Sequence, residues 1–289
     1  MSEKISGFLN GAVVVLIPAL LAGCASVVSG ITSGLAEDLT SAVLNSEDPQ
    51  LVRDGAPAYL ILMDSFLSGS PEDPDLLVQA ATLNTAYASA FVTDPERAKL
   101  FAKKALSFSS QAVCILDSSA CDLRAQPFEQ YSAWVDGLRK KDLETSYNLV
   151  ISWSSWIQAN TDDWNAIADL ARVKTLTKKL IELDEGYDNG GPHLMMGVFE
   201  TLLAPAQGGR PEVGREHFER AIELSEGRYL LVKVMFARLY ARLVFDREIH
   251  DQLLNEVVAA DPVATDLTLV NIIAQSQAQG LLDTADEYF

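Results

Sequence analysis

Apolar residues recur every three to four positions along almost the whole chain after residue 30, with polar and charged residues between them. This spacing predicts amphipathic α-helices, because it places the apolar side chains on one face of a helix. Alternating runs rich in Val, Ile and Thr, which would predict strands, are nearly absent. We therefore expect an all-α protein. The predicted helices cover residues 31–46, 51–68, 74–91, 95–115, 122–138, 142–160, 162–184, 192–204, 211–225, 228–245, 247–260 and 266–280.

Prolines, acids and glycines mark the ends of these helices. Asp94-Pro95 and Arg210-Pro211 predict helix N-termini, because proline is tolerated in the first turn. The acids Asp162-Asp163 favour the start of the helix over 162–184, where negative charge is stabilised. Residues 188–192 (Asp-Asn-Gly-Gly-Pro) and 207–209 (Gln-Gly-Gly) predict turns that separate successive helices.

Small residues recur at the predicted contacts between neighbouring helices, as in tetratricopeptide (TPR) repeats. Gly197 lies in the first helix of one such unit, and Gly214, Phe218 and Ala221 lie in its second. Two further candidate units contain Ala81 with Ala98, Ala102 and Ala105, and Ala237 with Leu254 and Val257. We therefore expect antiparallel helical hairpins in a TPR-like array, which leaves concave surfaces for partners. Because no Pro-, Gly- or Ser-rich linker follows residue 50, residues 31–289 are predicted to form a single domain.

The N-terminus contains a short apolar segment, Gly11–Leu21, that ends in Leu21-Ala22-Gly23-Cys24. This ending resembles the lipobox of bacterial lipoproteins, in which the cysteine is acylated and the preceding residues are removed. Residues 1–23 are then a signal peptide, and residues 24–30 are a tether lipidated at Cys24. A transmembrane anchor is the weaker alternative, because a span needs about 20 apolar residues. A cytosolic protein with an apolar N-terminus is weaker still.

The net charge of the chain disfavours two classes of binding partner. The chain carries a net charge of −18, so it lacks the basic face that binding to nucleic acid requires. The same charge disfavours adhesion to anionic lipid, which leaves the acyl chains on Cys24 as the membrane attachment. Ala25 follows the cysteine, a pattern that resembles outer-membrane sorting in proteobacterial lipoproteins. We expect a periplasmic protein anchored to the outer membrane, with the inner membrane as the alternative.

Two cysteines remain after the lipobox, Cys114 and Cys121. In an oxidising periplasm they are able to form a disulfide that closes a short loop. Two free, buried thiols are the alternative, and the spacing lacks the cysteine pairs of a zinc site. We favour the disulfide.

The chain lacks the common signatures of catalysis. His193, His217 and His250 lie in three different predicted helices, without a neighbouring nucleophile. No GxSxG, HExxH, P-loop or GxGxxG motif is present in the sequence. We expect neither enzymatic activity nor a cofactor or metal ion.

Three tryptophans, Trp153, Trp156 and Trp164, lie close together in one predicted hairpin. Trp153 and Trp156 share a helix face. Packing in the core is the simpler interpretation of such a group. Lining a pocket for an apolar or amphipathic ligand is the alternative.

The helix over 228–245 is apolar around most of its circumference but carries Lys233, Arg238 and Arg242. Charged residues are rarely buried without partners. Either acids neutralise these cations, or the cations line a cavity that water reaches. The candidate acids are Glu200, Asp246 and Glu256. The candidate set of ligand-lining residues is Trp153, Trp156, Trp164, His193, Lys233, Arg238 and Arg242.

A pattern of many positions in the C-terminal half resembles one family. It comprises residues 183–194 (Leu-Asp-Glu-Gly-Tyr followed by Gly-Gly-Pro-His-Leu), Gly197 with Glu200, the Gly208-Gly209 turn, 217–224 (His-Phe-Glu-Arg-Ala-Ile-Glu-Leu), the Lys233-to-Glu248 segment and the closing residues 281–289. With the lipobox and Asp163-Trp164-Asn165, this pattern resembles the TatT family, the T component of tripartite ATP-independent periplasmic (TRAP) transporters.

The resemblance implies a TPR-like periplasmic lipoprotein that assembles as a homotrimer and pairs with the substrate-binding P component of the transporter. It also implies a channel for hydrophobic ligands in each protomer. Only Cys24, as the anchor, takes its role from the family. The competing hypothesis is a structural envelope scaffold with no part in transport.

Overall fold

The computed structural model describes Gly34 and residues 38–289, and within this part of the chain every regular element is helical. The prediction of an all-α protein is confirmed. The lipobox and most of the predicted helix over 31–46 lie outside the described residues, although residues 38–44 are helical. Among the described helices, none is long and apolar enough to cross a membrane.

The predicted helices match the observed ones closely over most of the chain. The α-helices are α1 (Pro49–Gly69), α2 (Pro74–Phe91), α3 (Pro95–Leu116), α4 (Phe128–Gly137), α5 (Leu143–Ala159), α6 (Trp164–Ala168), α7 (Leu170–Leu183), α8 (Tyr187–Thr201), α9 (Pro211–Leu224), α10 (Leu230–Met235), α11 (Arg247–Ala259), α12 (Thr268–Asp283) and α13 (Ala285–Tyr288). Short 3-10 helices form at Ser118–Ala120, Lys140–Asp142 and Pro205–Gln207.

The first three helices begin in the same way, with an aspartate followed by a proline. The carboxylates of Asp48, Asp73 and Asp94 accept hydrogen bonds from backbone N–H groups of the first turn of α1, α2 and α3. The proline that follows each aspartate occupies a position where its missing N–H is not needed. The sequence thus sets these three N-termini locally.

Three helix predictions are wrong in detail. The predicted helix over 122–138 begins only at Phe128, because Asp122 adopts a left-handed conformation (φ 59°) and residues 121–126 form turns. The predicted helix over 162–184 begins at Trp164, with Asp163 as its N-cap, and divides at Asp169. The Asp169 N–H donates to both the Asn165 and Ala166 carbonyls, so the backbone tightens there. The helix over 228–245 changes after Met235 into a π-helix, Phe236–Ala241.

The core consists of three apolar clusters that follow one another along the chain. An N-terminal cluster is built from α1, α2 and α3, a middle cluster from α3 to α8, and a C-terminal cluster from α8 to α12. Helix α3 contributes to the first two clusters, and α8 contributes Phe199 to the middle one and Leu194 to the C-terminal one. Neighbouring clusters therefore share helices, as expected when each helix packs mainly on those next to it in sequence.

The α8–α9 pair has the close contact that the sequence predicted for a repeat unit. A Cβ atom on Gly214 would lie 2.6 Å from the Thr201 methyl group and 3.1 Å from the Gly197 carbonyl oxygen. A Cβ atom on Gly197 would lie 2.8 Å from the Phe218 ring. Glycine at both positions lets the two backbones approach. A TPR-like arrangement of the whole array stays a prediction.

The segment before α1 meets the segment before α12. The Asn45 side chain donates to the Asp266 carboxylate at 2.8 Å and accepts from the Asp266 N–H at 2.7 Å, across 221 residues of sequence. Helices α1 and α12 are also in contact. The helices therefore close on themselves instead of forming an open solenoid.

Candidate functional site

The turn before α8 adopts a conformation that is rare for side-chain-bearing residues. Asp188, Asn189 and Gly190 are all left-handed, with φ of 47°, 56° and 80°. A Cβ atom on Gly190 would lie 3.2 Å from the Ala221 Cα atom of α9, and one on Gly191 would lie 2.0 Å from the Tyr147 hydroxyl of α5. The turn is thus held between α5 and α9, and only glycine fits at its two tightest points.

This turn brings Asp188 beside a group of tyrosines. The Tyr147 hydroxyl hydrogen-bonds to the Asp188 carboxylate, and the Tyr147 and Tyr187 rings meet edge to face with centroids 5.2 Å apart. Tyr229 is near enough for the Asp188 charge to affect its pKa. We name these residues, Tyr147, Tyr187, Asp188 and Tyr229, the tyrosine recess.

The surroundings of the recess shift the pKa values of its residues. Asp188 remains accessible to water, yet burial by the surrounding helices raises the pKa of its carboxyl to about 6, despite the hydrogen bond from Tyr147. Desolvation also raises the pKa of Tyr187 to about 12 and that of Tyr147 well above its ordinary value. The recess therefore presents a carboxyl of raised pKa together with phenol rings, which offer apolar faces and polar edges.

A second polar group lies between α7, α8 and α9. Glu200 is fully buried, and its carboxylate accepts hydrogen bonds from Arg210 and from Lys174, the latter at 2.8 Å. Burial alone would raise the pKa of Glu200, but the bonds from Arg210 and Lys174 outweigh it and lower the pKa. Every charge in this group has a partner, and the ion pairs connect Glu200 of α8 with α7 and with the residue before α9.

His193 of α8 contacts His217 of α9. Its Nδ1 lies 2.9 Å from the Nδ1 of His217, and its Nε2 lies 3.5 Å from the Glu185 carboxylate. Burial lowers the pKa of both histidines, to about 4 for His217. The neutral rings therefore share one hydrogen bond between α8 and α9.

The three tryptophans occupy different environments. Trp153 is fully buried in the middle cluster, and its Nε1 donates to the Asp169 carboxylate at 3.0 Å. Trp156 is partly buried beneath the Arg124 guanidinium, which lies 3.7 Å from the ring centroid. Trp164 is 85% exposed. The core interpretation therefore fits Trp153 fully and Trp156, which packs against the same cluster, in part.

Arg124, which covers the Trp156 ring, also lines a surface cleft of about 370 Å³, which we name the arginine cleft. Its wall is formed by Arg124, Phe128, Asn165, Ala168, Asp169 and Arg172. A larger depression of about 490 Å³ follows residues 70–74, but the loop itself is its whole lining and no side chains converge there. The arginine cleft is thus the better candidate for binding.

The cations of the helix over 228–245 are dispersed. Lys233 forms an ion pair with Glu256 at 2.8 Å, in agreement with the alternative in which acids neutralise these cations. Arg238 is exposed, and the Arg242 guanidinium lies 4.6 Å from the centre of the Tyr288 ring. Glu200 is engaged by other cations. The seven candidate ligand-lining residues are therefore not brought together in one cavity.

Cys114 and Cys121 are joined by a disulfide, with Cα atoms 4.6 Å apart. The bond connects the end of α3 to the turn that follows it. Cys24 lies outside the described residues.

The residues that the sequence interpretation missed are the tyrosine recess and the arginines of the cleft. The sequence predicts a turn at Asp-Asn-Gly-Gly-Pro. Asp, Asn and Gly are the residues that most readily adopt a left-handed backbone, and three of them in a row were the available signal that this turn positions a side chain. Nothing in the local sequence distinguished Arg124 or Arg172 from an exposed helix arginine.

The family model described as TRAP transporter T-component matches residues 45–289, which include helices α1 to α13. No curated protein matches the chain. Since the match covers well over half of the sequence, the chain belongs to the family of TRAP transporter T-components.

Proposed function

We propose that this protein is a periplasmic, lipid-anchored accessory subunit of a TRAP-type solute uptake system, and that it docks the substrate-binding P component. The observation that carries the proposal is membership of the T-component family over residues 45–289. An accessory role in TRAP transport follows from the family. Docking of the P component, and assembly as a homotrimer, are the finer parts of the proposal.

The anchor is proposed to be Cys24, at the outer membrane. The lipobox supports this assignment, as does the net charge of −18, which gives the body little attraction to anionic lipid. Two or three acyl chains hold a protein at a membrane where one chain does not. The short tether over 24–30 would keep a docked partner near the bilayer.

The tyrosine recess is proposed to hold a hydrophobic or amphipathic ligand. Phenol rings offer apolar faces together with polar edges, and Asp188 offers a carboxyl that is protonated more readily than usual. This location replaces the dispersed set that the sequence suggested.

The protein is proposed to act without catalysis. His193 and His217 contact each other, and His193 and His250 contact the carboxylates of Glu185 and Asp251. A nucleophile paired with a base is the usual sign of covalent catalysis, and these contacts do not supply one.

A deletion strain tests the transport role. Loss of the gene should lower uptake of the solutes carried by the TRAP permease. Expression of the wild-type chain should restore it, and expression of Cys24→Ser should restore it poorly. Uptake that is unchanged in the deletion strain would contradict the proposal.

The ligand claim has its own measurement. Native mass spectrometry of protein purified from the envelope should reveal a stoichiometric small molecule, and the Tyr229→Ala variant should carry less of it. Protein that is empty in every preparation would count against a ligand in the recess.

A further inference from the structure

We propose that the arginine cleft is a second binding site, one that takes a small organic carboxylate bearing a flat apolar group. The site is separate from the tyrosine recess and does not depend on the docking of a partner. Its wall carries two guanidinium groups against a single carboxylate, in a chain whose net charge is −18. A local excess of positive charge in such a chain favours an anion.

Arg124 provides a fixed and available guanidinium edge. Its Nε donates to Asp169 at 2.7 Å, and its Cζ lies 3.7 Å from the centre of the Trp156 ring. In the described part of the chain, neither of its Nη atoms makes a hydrogen bond. The contact with the ring and the ion pair hold the guanidinium in place, so its free edge is preorganised for the two oxygens of a carboxylate.

Arg172 provides a second donor. Its Nη2 donates to the Gln126 carbonyl at 2.5 Å, and its guanidinium lies 5.1 Å from the centre of the Tyr131 ring. Its Nη1 is buried and has no hydrogen-bond partner among the described residues. A buried charged donor without a partner is costly, and a ligand oxygen in the cleft would relieve that cost after a small movement.

Asp169 and Phe128 indicate which kind of ligand fits the cleft. Asp169 is 7% exposed, and one of its oxygens already accepts hydrogen bonds from Arg124 and Trp153. It neutralises the Nε side of Arg124, so an anion is directed to the Nη edge. Phe128 is 49% exposed beside Arg172 and offers an apolar face. The volume of about 370 Å³ lies in the range of small-molecule sites.

The test uses phenylacetate as the probe, with the purified full chain in a calorimeter. We expect saturable binding of phenylacetate, and weaker binding of acetate, inorganic phosphate and neutral phenylacetamide. Arg124→Gln should weaken phenylacetate binding by about tenfold or more, because it removes a charged bidentate donor. Arg124→Lys should weaken it as well, since lysine keeps the charge but loses the planar edge.

One control variant and one further cleft variant complete the test. Arg97→Gln removes an arginine that lies over an aromatic ring, Phe101, outside the cleft, and it should leave the affinity unchanged. Phe128→Ala alters an exposed ring, and it should weaken phenylacetate binding without affecting acetate. The proposal is overturned if phenylacetate does not bind, if phosphate or acetate binds as tightly, or if folded Arg124→Gln and Phe128→Ala proteins both bind as the wild type does.

Discussion

At the scale of single residues, Asp188 shows how backbone conformation sets the chemistry of a side chain. Its left-handed φ of 47°, followed by Asn189 at 56° and Gly190 at 80°, turns the carboxyl toward Tyr147. An extended or helical backbone at the same position would direct the side chain elsewhere. The raised pKa is a consequence of that placement.

Asp188→Asn should change how stability depends on pH. The folded pKa of about 6 lies above the ordinary value of 3.8, so the native state binds more protons between these values. The contribution of Asp188 to stability is therefore full below pH 3.8 and is lost as pH rises through about 6. As pH rises through this range, the wild type should lose stability relative to the asparagine variant, which has no carboxyl to titrate. Urea unfolding at several pH values measures the difference in free energy of unfolding.

Asp117→Asn serves as the matched control. Hydrogen bonds from Ser119 lower the pKa of Asp117, so its contribution is present above the ordinary value of 3.8 and is lost as pH falls. Its variant should lose stability relative to the wild type as pH rises through this range. Two aspartate variants with the same pH profile would contradict the account of the recess.

The candidate residues show why the site was only partly predictable. The aromatic spacing correctly indicated that Trp153 and Trp156 lie near each other in a structured region, but it could not distinguish a core ring from one that supports an arginine. Arg124 and Asp169 are 45 residues apart in sequence, and they meet because α4, which follows Arg124, packs against α7, which follows Asp169. Contacts between distant residues leave no periodic signal in the sequence.

At the scale of elements, the α8–α9 pair depends on two glycines. Gly214→Ala should destabilise the protein by about 1–3 kcal/mol, because its Cβ would overlap the Thr201 methyl group at 2.6 Å. Gly55→Ala in α1 is the control, since a Cβ there has nothing within 4 Å. It should stabilise by roughly 0.5–1 kcal/mol, as alanine favours the helix. Urea unfolding measures both, and equal effects would argue against the close contact.

The Cys114–Cys121 bond is a second test at this scale. The two cysteines are seven residues apart, and closing so short a loop stabilises by about 2–3 kcal/mol. Reductant should therefore lower the urea midpoint of the wild-type chain and leave the Cys114→Ala/Cys121→Ala double variant unaffected. An unchanged wild-type midpoint would show that the bond does not support the fold.

Helix boundaries were predictable where the signal is local, as at Asp94-Pro95, which begins α3 as expected. The predicted boundaries were wrong where contacts between distant residues determine where a helix begins or ends. The segment before Phe128 has apolar and polar residues at helical spacing, yet Asp122 reverses the chain and Gln126 caps the Ser119 and Cys121 carbonyls. The π-helix at 236–241 likewise depends on packing within the C-terminal cluster.

At the scale of the whole molecule, an array of hairpins was predictable but its closure was not. Asn45 and Asp266 are both ordinary polar residues in the sequence, and their pairing depends on the path of every helix between them. Repeat patterns describe contacts between neighbours, so they carry no information about whether the two ends meet.

Asn45→Ala tests the closure. The variant loses both hydrogen bonds to Asp266, which we expect to cost about 1–3 kcal/mol of local stability. Hydrogen exchange should therefore increase at α1 and at the start of α12 together. Asn255→Ala removes a hydrogen bond within α11 and should leave both ends protected. Faster exchange at only one end would argue against the contact.

The central claim is that this T-component docks the substrate-binding P component of a TRAP transporter. Crosslinking in the intact envelope, followed by affinity purification of the chain and mass spectrometry, tests it most directly. We predict that the crosslinked partner is a TRAP substrate-binding protein, and that its recovery falls for Cys24→Ser, which releases the chain from the membrane. Repeated recovery of outer-membrane assembly proteins, with no substrate-binding protein, would contradict the claim and support a structural scaffold instead.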